Sequence, residues 1–356
     1  MTTTPQLSST DSGTAMSSLD DVSHDVARGT RSDGAPGAPR RVVVLGGTGL
    51  LGGSIASAFL EAGSQVTIVA RRAPHGDRAH ALAGASFLGG DAADRAVLRR
   101  ALRDASLVVD TVGVPPPAAS VASPRGQFAA EIPPLLALLD ELRHHADTRL
   151  MFVSSGGAIY GEPRWLPVSE DAACRPLSPY GEVKLAAERN VELAVVARGL
   201  TATVLRVANA YGPHQRAGSG HGIVAALLHA AATGTALQQF GDGGTVRDYV
   251  HVEDVAAAAV ALASAPHGEG TFNVGTGIGH SIDQVLEVVE AVVGRRIPVE
   301  RHPARPADVR AVVLDVTRLA GRIDWRPMPL STGVARTWSA LRSMRFAGED
   351  PVAAGA

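Results

Sequence analysis

Apolar and polar positions along the chain switch between two periods. Short β-branched runs stand at Arg41–Leu45, Gln65–Val69, Ser86–Leu88, Leu107–Asp110, Leu150–Ser154 and Thr203–Arg206, with stretches of helical spacing between them. Strands apolar on both faces need cover on both sides, and strands that alternate with helices read as parallel βαβ units. The pattern therefore predicts an α/β fold built on a doubly wound parallel sheet. Two helices carry their own punctuation. Pro179–Arg198 has Ser178 as N-cap, proline at the first position and Gly199 just past the end, and Ser281 with Gln284 forms a capping box for a helix ending near Gly294. The alanine-rich run Val255–Ala265 reads as a buried helix, far short of the ~20 apolar residues of a membrane span. Residues 1–40 are rich in Ser, Thr, Gly, Pro and Asp without periodicity and read as a disordered tail. Residues 41–205 read as the main sheet domain, 206–345 as a smaller, loop-rich C-terminal lobe, and 346–356 as a flexible end.

Composition narrows the function classes. A net charge of −2 with scattered arginines leaves no footprint for nucleic acid. The single cysteine, Cys174, excludes an intramolecular disulfide and reads as structural, and the histidines have no metal-ligand spacing, so no metal is expected. The first 40 residues lack the apolar core of a signal peptide, and the expected location is cytoplasmic. Of 33 basic residues all but one are arginine, and the single lysine is Lys184. The tyrosines are Tyr160, Tyr180, Tyr211 and Tyr249.

The first strand runs into Gly46-Gly47-Thr48-Gly49-Leu50-Leu51-Gly52 and then a helix. Glycines at 46, 49 and 52 permit a tight turn and close approach of the backbone, while the helix start at Thr48–Gly52 offers free N–H groups to a pyrophosphate. In strand-turn-helix context this predicts a Rossmann domain that binds NAD or NADP. The second strand ends Val69-Ala70-Arg71-Arg72, without the carboxylate that accepts from the adenosine ribose of NAD. Two readings stand: Arg71 and Arg72 clamp the 2′-phosphate of NADP, or they are solvated loop residues. Asp91, after the third strand, is placed to accept from the adenine amino group.

Tyr180 and Lys184 are spaced i, i+4 on the Pro179–Arg198 helix and share a face. A lysine cation about 5 Å from the phenol, at an effective dielectric near 20, favours the phenolate by roughly 3 kcal/mol. The pair reads as a general acid/base and its activating cation, and Lys184 also suits the nicotinamide ribose as a compact donor.

Several motifs recur in order: the Gly46–Gly49 turn, Val153-Ser154-Ser155-Gly156-Gly157-Ala158-Ile159-Tyr160-Gly161, Ser178-Pro179-Tyr180-Gly181 with Lys184, and Arg206-Val207-Ala208-Asn209-Ala210-Tyr211-Gly212-Pro213. Gly241-Asp242-Gly243-Gly244, Arg247-Asp248-Tyr249-Val250-His251-Val252, Phe272-Asn273-Val274-Gly275 and Arg305-Pro306-Ala307-Asp308 follow. With them the chain, over about Val42–Trp338, resembles the sugar-nucleotide epimerase/dehydratase group of the extended short-chain dehydrogenases/reductases. The resemblance implies Tyr180 as the acid/base on a sugar hydroxyl, Lys184 on the nicotinamide ribose, and Asn209, Arg247 and Arg305 on the substrate diphosphate. It also implies a homodimer. From the residues alone, Arg247 could instead pair with Asp248 at the surface, and His251 reads as structural. One departure stands out. The family's third catalytic residue, Ser or Thr, aligns with Gly156, which leaves neighbouring Ser155, or Ser154, or the backbone, to serve. The leading expectation is a nucleotide-sugar 4-epimerase that oxidises C4 transiently through a 4-keto intermediate. The alternative is an NADP-dependent 4-ketoreductase of a nucleotide-linked 4-keto-6-deoxysugar. A non-catalytic NAD(P)-sensing module is a third reading, against which the intact Tyr180/Lys184 pair argues.

Overall fold

The computed structural model describes residues 37, 39–113, 123–215, 222–304 and 309–347. The expected N-terminal tail, apart from Gly37, Pro39 and Arg40, lies outside the described residues. So does nearly all of the expected C-terminal end, and so does Arg305.

The first part of the chain alternates as the pattern predicts. In order it forms β1 (Arg41–Leu45), α1 (Leu50–Glu61), β2 (Gln65–Ala70), α2 (Asp77–Ala81), β3 (Ser86–Gly89), α3 (Arg95–Ala101), β4 (Leu107–Asp110), α4 (Pro124–Leu142), β5 (Arg149–Ser155), α5 (Gly156–Ile159), α6 (Pro179–Arg198) and β6 (Ala202–Val207). After these come β7 (Asn209–Tyr211), α7 (Ile223–Thr233), β8 (Leu237–Phe240), β9 (Val246–His251), α8 (Val252–Ser264), β10 (Gly270–Val274), β11 (Gly279–Ser281), α9 (Ile282–Val293), β12 (Val299–His302), β13 (Ala311–Val312), α10 (Thr317–Ala320) and α11 (Leu330–Ala347).

The main sheet has seven parallel strands in the order β10-β6-β5-β4-β1-β2-β3. Successive side chains of a strand point to opposite faces, so each strand feeds two cores. Val42 and Val44 join Ile55, Phe59, Met151, Val153 and the alanines of α8 on one face. Val43 and Leu45 join Leu98, Leu135, Leu138, Phe152, Val183 and Val191 on the other. The helix signals hold at atomic detail. Ser178 Oγ accepts from Gly181 N at 3.2 Å, Gly199 adopts φ +67°, and the Ser281/Gln284 capping box closes in both directions.

The boundary expected at residue 205 needs amending, because the chain crosses back. β10 pairs with β6 and completes the main sheet, with Asn273 opposite Arg206, and α8 packs against α1 in the first core. Ala56 of α1 and Ala256, Ala258, Ala259 and Ala263 of α8 are buried in that same core. The C-terminal lobe proper is built from β7, β9, β11 and β13, the β8–β12 pair and helices α7, α9 and α11, around Tyr211, Leu227, Leu228, Tyr249, Val285, Val289 and Val334. Among the described residues no helix is long and apolar enough to cross a membrane.

Candidate active site

The glycine turn leaves no room for side chains. Gly46 has φ +74°, and Gly49 N donates to Gly46 O at 2.9 Å. A Cβ on Gly52 would lie 2.4 Å from Thr111 Oγ1 and 2.5 Å from Gly46 O. Thr111, just past β4, holds the turn by donating to Leu45 O at 2.7 Å. Helix α1 starts at Leu50 with Gly49 as an N-cap that supplies no side-chain bond, so no side chain competes for its first N–H groups. This bare cradle beside a helix N-terminus fits a dinucleotide pyrophosphate.

Around it the adenosine side is open. Arg71 and Arg72 are exposed past the end of β2. Asp91 is also exposed and turns its carboxylate back to Ala93 N at 2.9 Å. Nearby Arg78, buried on α2, lies over the backbone of Gly53, and burial lowers its pKa.

Tyr180 and Lys184 sit in the first two turns of α6. Gly181 makes their placement possible, because a Cβ there would come 2.5 Å from Ala158 O, so α6 begins hard against the β5–α5 turn. Tyr160, Tyr211 and Tyr249 are buried and their phenols are pushed up by desolvation, whereas Tyr180 is half-buried, the one tyrosine with access to a ligand. Lys184 is 4% exposed. Its Nζ donates to Val153 O at 3.2 Å, lies 2.7 Å from Glu131 Oε1, and stands 5.3 Å from the centre of the Phe152 ring. Burial works against its charge, but Glu131, Tyr180 and Asp110 outweigh burial and the ammonium is held above its ordinary pKa. The pull of roughly 3 kcal/mol expected from an unshared lysine cation is thus offset in part by the Glu131 carboxylate.

The same turn carries the departure at Gly156. A Cβ on Gly156 would meet Leu314 Cδ1 at 2.7 Å and Arg206 O at 2.9 Å, so this position is packed shut. Ser155 stands next to it, half-buried at the start of α5, with a hydroxyl that makes no capping bond. Ser154 is buried and its Oγ has no partner among the described residues. Asn209, opening β7, approaches from the other side: its Oδ1 lies 2.6 Å from where a Cβ on Gly157 would be. Arg247, on β9, is half-buried and donates to Val246 O at 2.8 Å. The alternative Arg247–Asp248 surface pair does not form, because Asp248 is buried and accepts from Thr276 and Gly277. His251 is buried, caps α8 through Glu253 N and faces Thr337, which is the structural role expected of it. Among the described residues no group of His, Cys, Asp or Glu could hold a metal ion.

Comparison with known proteins decides the family. Residues 42–275 match the profile of the NAD dependent epimerase/dehydratase family. The chain belongs to the NAD-dependent epimerase/dehydratase family. Within it, the chain is 32% identical over 316 residues to the UDP-glucose 4-epimerase of Corynebacterium glutamicum, covering 84% of this chain and 95% of that one. The enzyme of the same name from Streptomyces lividans is 32% identical, over 81% and 91%. The fold superposes on the Thermotoga maritima UDP-glucose 4-epimerase bound to UDP-glucose with a TM-score of 0.80 at 31% identity, covering 86% of this chain and 99% of that one. The Thermus thermophilus UDP-glucose 4-epimerase in complex with NAD gives 0.78 at 34% identity, over 85% and 99%.

For this epimerase/dehydratase family member, two site residues escaped sequence reading. Asp110 ends β4 and was read only as a strand residue, yet it is 4% exposed beside Lys184. Glu131 lies on α4 in no motif. Its signal was positional: with Leu135, Leu138 and Leu142 it falls on the buried stripe of the helix, where a carboxylate is costly.

Proposed function

We propose that this protein is a nucleotide-sugar 4-epimerase that holds NAD. The observation that carries the reading is the half-buried Tyr180 phenol backed by the buried Lys184 ammonium, set at a β5–α5 turn that Asn209 faces from the substrate lobe. The backbone of Gly46–Gly52 would hold the pyrophosphate of the cofactor, and Lys184 its nicotinamide ribose. When bound, the nicotinamide supplies a hydride acceptor and donor at C4 of the sugar. Tyr180 takes the proton of the C4 hydroxyl as the 4-keto sugar forms and returns it once the ketone is reduced on its other face. Ser155 is the hydroxyl placed to share that proton, since Gly156 cannot. Asn209 and Arg247, with Arg305 by resemblance, hold the diphosphate, for which guanidinium forks are suited.

One observation favours a second reading. Arg71 and Arg72 are exposed where an NAD enzyme keeps a carboxylate, which suits the 2′-phosphate of NADP and a one-way ketoreductase. The test is to assay the full-length protein for interconversion of UDP-glucose and UDP-galactose, to identify its retained cofactor by mass, and to measure dissociation constants for both cofactors. Interconversion without net cofactor turnover and with retained NAD is expected. Stoichiometric consumption of NADPH when a nucleotide-linked 4-keto-6-deoxysugar is supplied, with a tenfold or greater preference for NADP, would select the reductase.

We also propose a homodimer through α4 and α6. These helices pack side by side and present Phe128, Leu136, Leu193 and Val196 to solvent, the last 80% exposed. Large apolar side chains exposed on two adjacent helices are what a second copy would bury.

A further inference from the structure

Lys184 is surrounded from four elements. Tyr180 stands on its own helix, Glu131 on α4 and Asp110 at the end of β4, while β5 contributes Val153 O and the Phe152 ring. Glu131 is 2% exposed, and its Oε2 has no hydrogen-bond donor among the described residues. Asp110 Oδ1 accepts from Val112 N at 2.9 Å. Two carboxylates and one ammonium are thus buried together beside the proposed acid/base.

Stability gives no reason for this arrangement. A buried ion pair gains little over well-packed apolar residues of the same volume, and Glu131 occupies a stripe of leucines where another leucine would pack. What the pair does supply is one fixed place for the charge of a flexible four-carbon side chain. Without a carboxylate at that point, an ammonium in an apolar pocket either loses its proton or swings away.

We propose that Glu131 is a positioning residue for epimerisation: it keeps Lys184 charged and in the one orientation that faces Tyr180 and the nicotinamide-ribose position. The assignment rests on the 4-epimerase reading for its catalytic consequence, but not for its physical content. Glu131 also offsets the field of Lys184 on Tyr180, so it sets how strongly the cation acts as well as where.

The sequence supplies an unusual probe. Lys184 is the single lysine, so protein grown with isotope-labelled lysine, without a lysine-containing tag, gives one side-chain resonance that reports its protonation. The experiment titrates that resonance in full-length wild type, Glu131→Gln and Glu131→Asp, and measures kcat and KM for UDP-glucose in each. Wild type should keep its ammonium to above the ordinary lysine range. Glu131→Gln should lose its proton about one pH unit or more lower, because burial is then opposed only by Tyr180 and Asp110. Its kcat should fall about tenfold or more with KM within about threefold, the split expected of a residue that acts on the chemical step. Glu131→Asp should recover part of both effects, and it carries the test if the glutamine variant does not fold. An unmoved lysine titration in either folded variant, or an unmoved kcat beside a shifted titration in an active enzyme, would overturn the proposal. A shifted titration in a protein that shows no epimerase activity as wild type would leave the Lys184–Glu131 coupling standing and remove the epimerase reading instead.

Discussion

Asp110→Asn isolates one buried charge and gives the most quantitative test of the site's electrostatics. Asp110 is 4% exposed, and burial, its largest cause, raises its carboxyl from the ordinary 3.8 to about 7; Glu131 adds to the rise, while the bond from Val112 N and the Lys184 charge oppose it. A carboxyl with a higher pKa in the folded state binds its proton more tightly there than in the unfolded chain. Folding is then favoured at low pH, and that advantage is lost as the pH rises from about 4 to about 7. Three pKa units at 1.36 kcal/mol each put the loss at up to about 4 kcal/mol by pH 8. Asparagine keeps the shape and can accept from Val112 N, but it carries no charge at any pH. The variant should therefore gain on wild type progressively between pH 4 and 8, reaching about 4 kcal/mol, or about 8 °C in Tm at roughly 2 °C per kcal/mol. His214 and His251, whose pKa values burial lowers, change stability in the opposite direction over the same range, but they are common to both proteins and cancel in the difference. Urea titrations at pH 5, 6, 7 and 8 measure it. A constant offset between the two curves across that range would refute the argument, because a pH-independent cost of the amide gives an offset and only a shifted carboxyl gives a slope.

Four further outcomes are expected. Tyr180→Phe should retain its fold and cofactor and lose a factor of about 10² to 10⁴ in kcat, since general acid/base catalysis supplies that much; Lys184→Arg should also lose most activity, because a planar guanidinium does not fit a pocket cut for one ammonium, and turnover within about threefold of wild type would contradict its role. Gly52→Ala puts a methyl carbon 2.4 Å from Thr111 Oγ1 and 2.5 Å from Gly46 O, an overpacking of about 1 to 3 kcal/mol that should weaken cofactor binding about fivefold to a hundredfold by calorimetry. Leu193→Glu with Val196→Glu, on the exposed face of α6, should turn a dimer into monomer in light scattering at micromolar concentration, and a wild type that is already monomeric would remove the dimer proposal.

Local signals carried much of this protein. Six strands could be read because β-branched apolar runs bounded by turn residues have few other uses, and β1 to β6 lie within a residue or two of the runs that announced them. Ser178, Pro179 and Gly199 bounded α6, and Ser281 with Gln284 opened α9, because caps satisfy helix ends through residues two or three positions away. The glycine turn and the Tyr180/Lys184 spacing were legible for the same reason: each is a constellation within one turn of chain.

What needed the fold was everything that depends on distant segments meeting. No pattern in residues 270–274 says that they pair with β6 rather than with the C-terminal lobe, because pairing partners are chosen by the packing of α8 on α1. The empty position at Gly156 read as a missing hydroxyl; only the approach of Leu314 and Arg206 O shows that a side chain has no room there. The lone lysine read as an unshared cation, and its true field depends on Glu131, 53 positions earlier in the chain and 2.7 Å away. Sequence sets the local geometry, because caps, turns and periodicity act over a few residues. Burial and charge pairing are set by residues far apart in the chain, so only the tertiary structure could decide which charges in this site face one another.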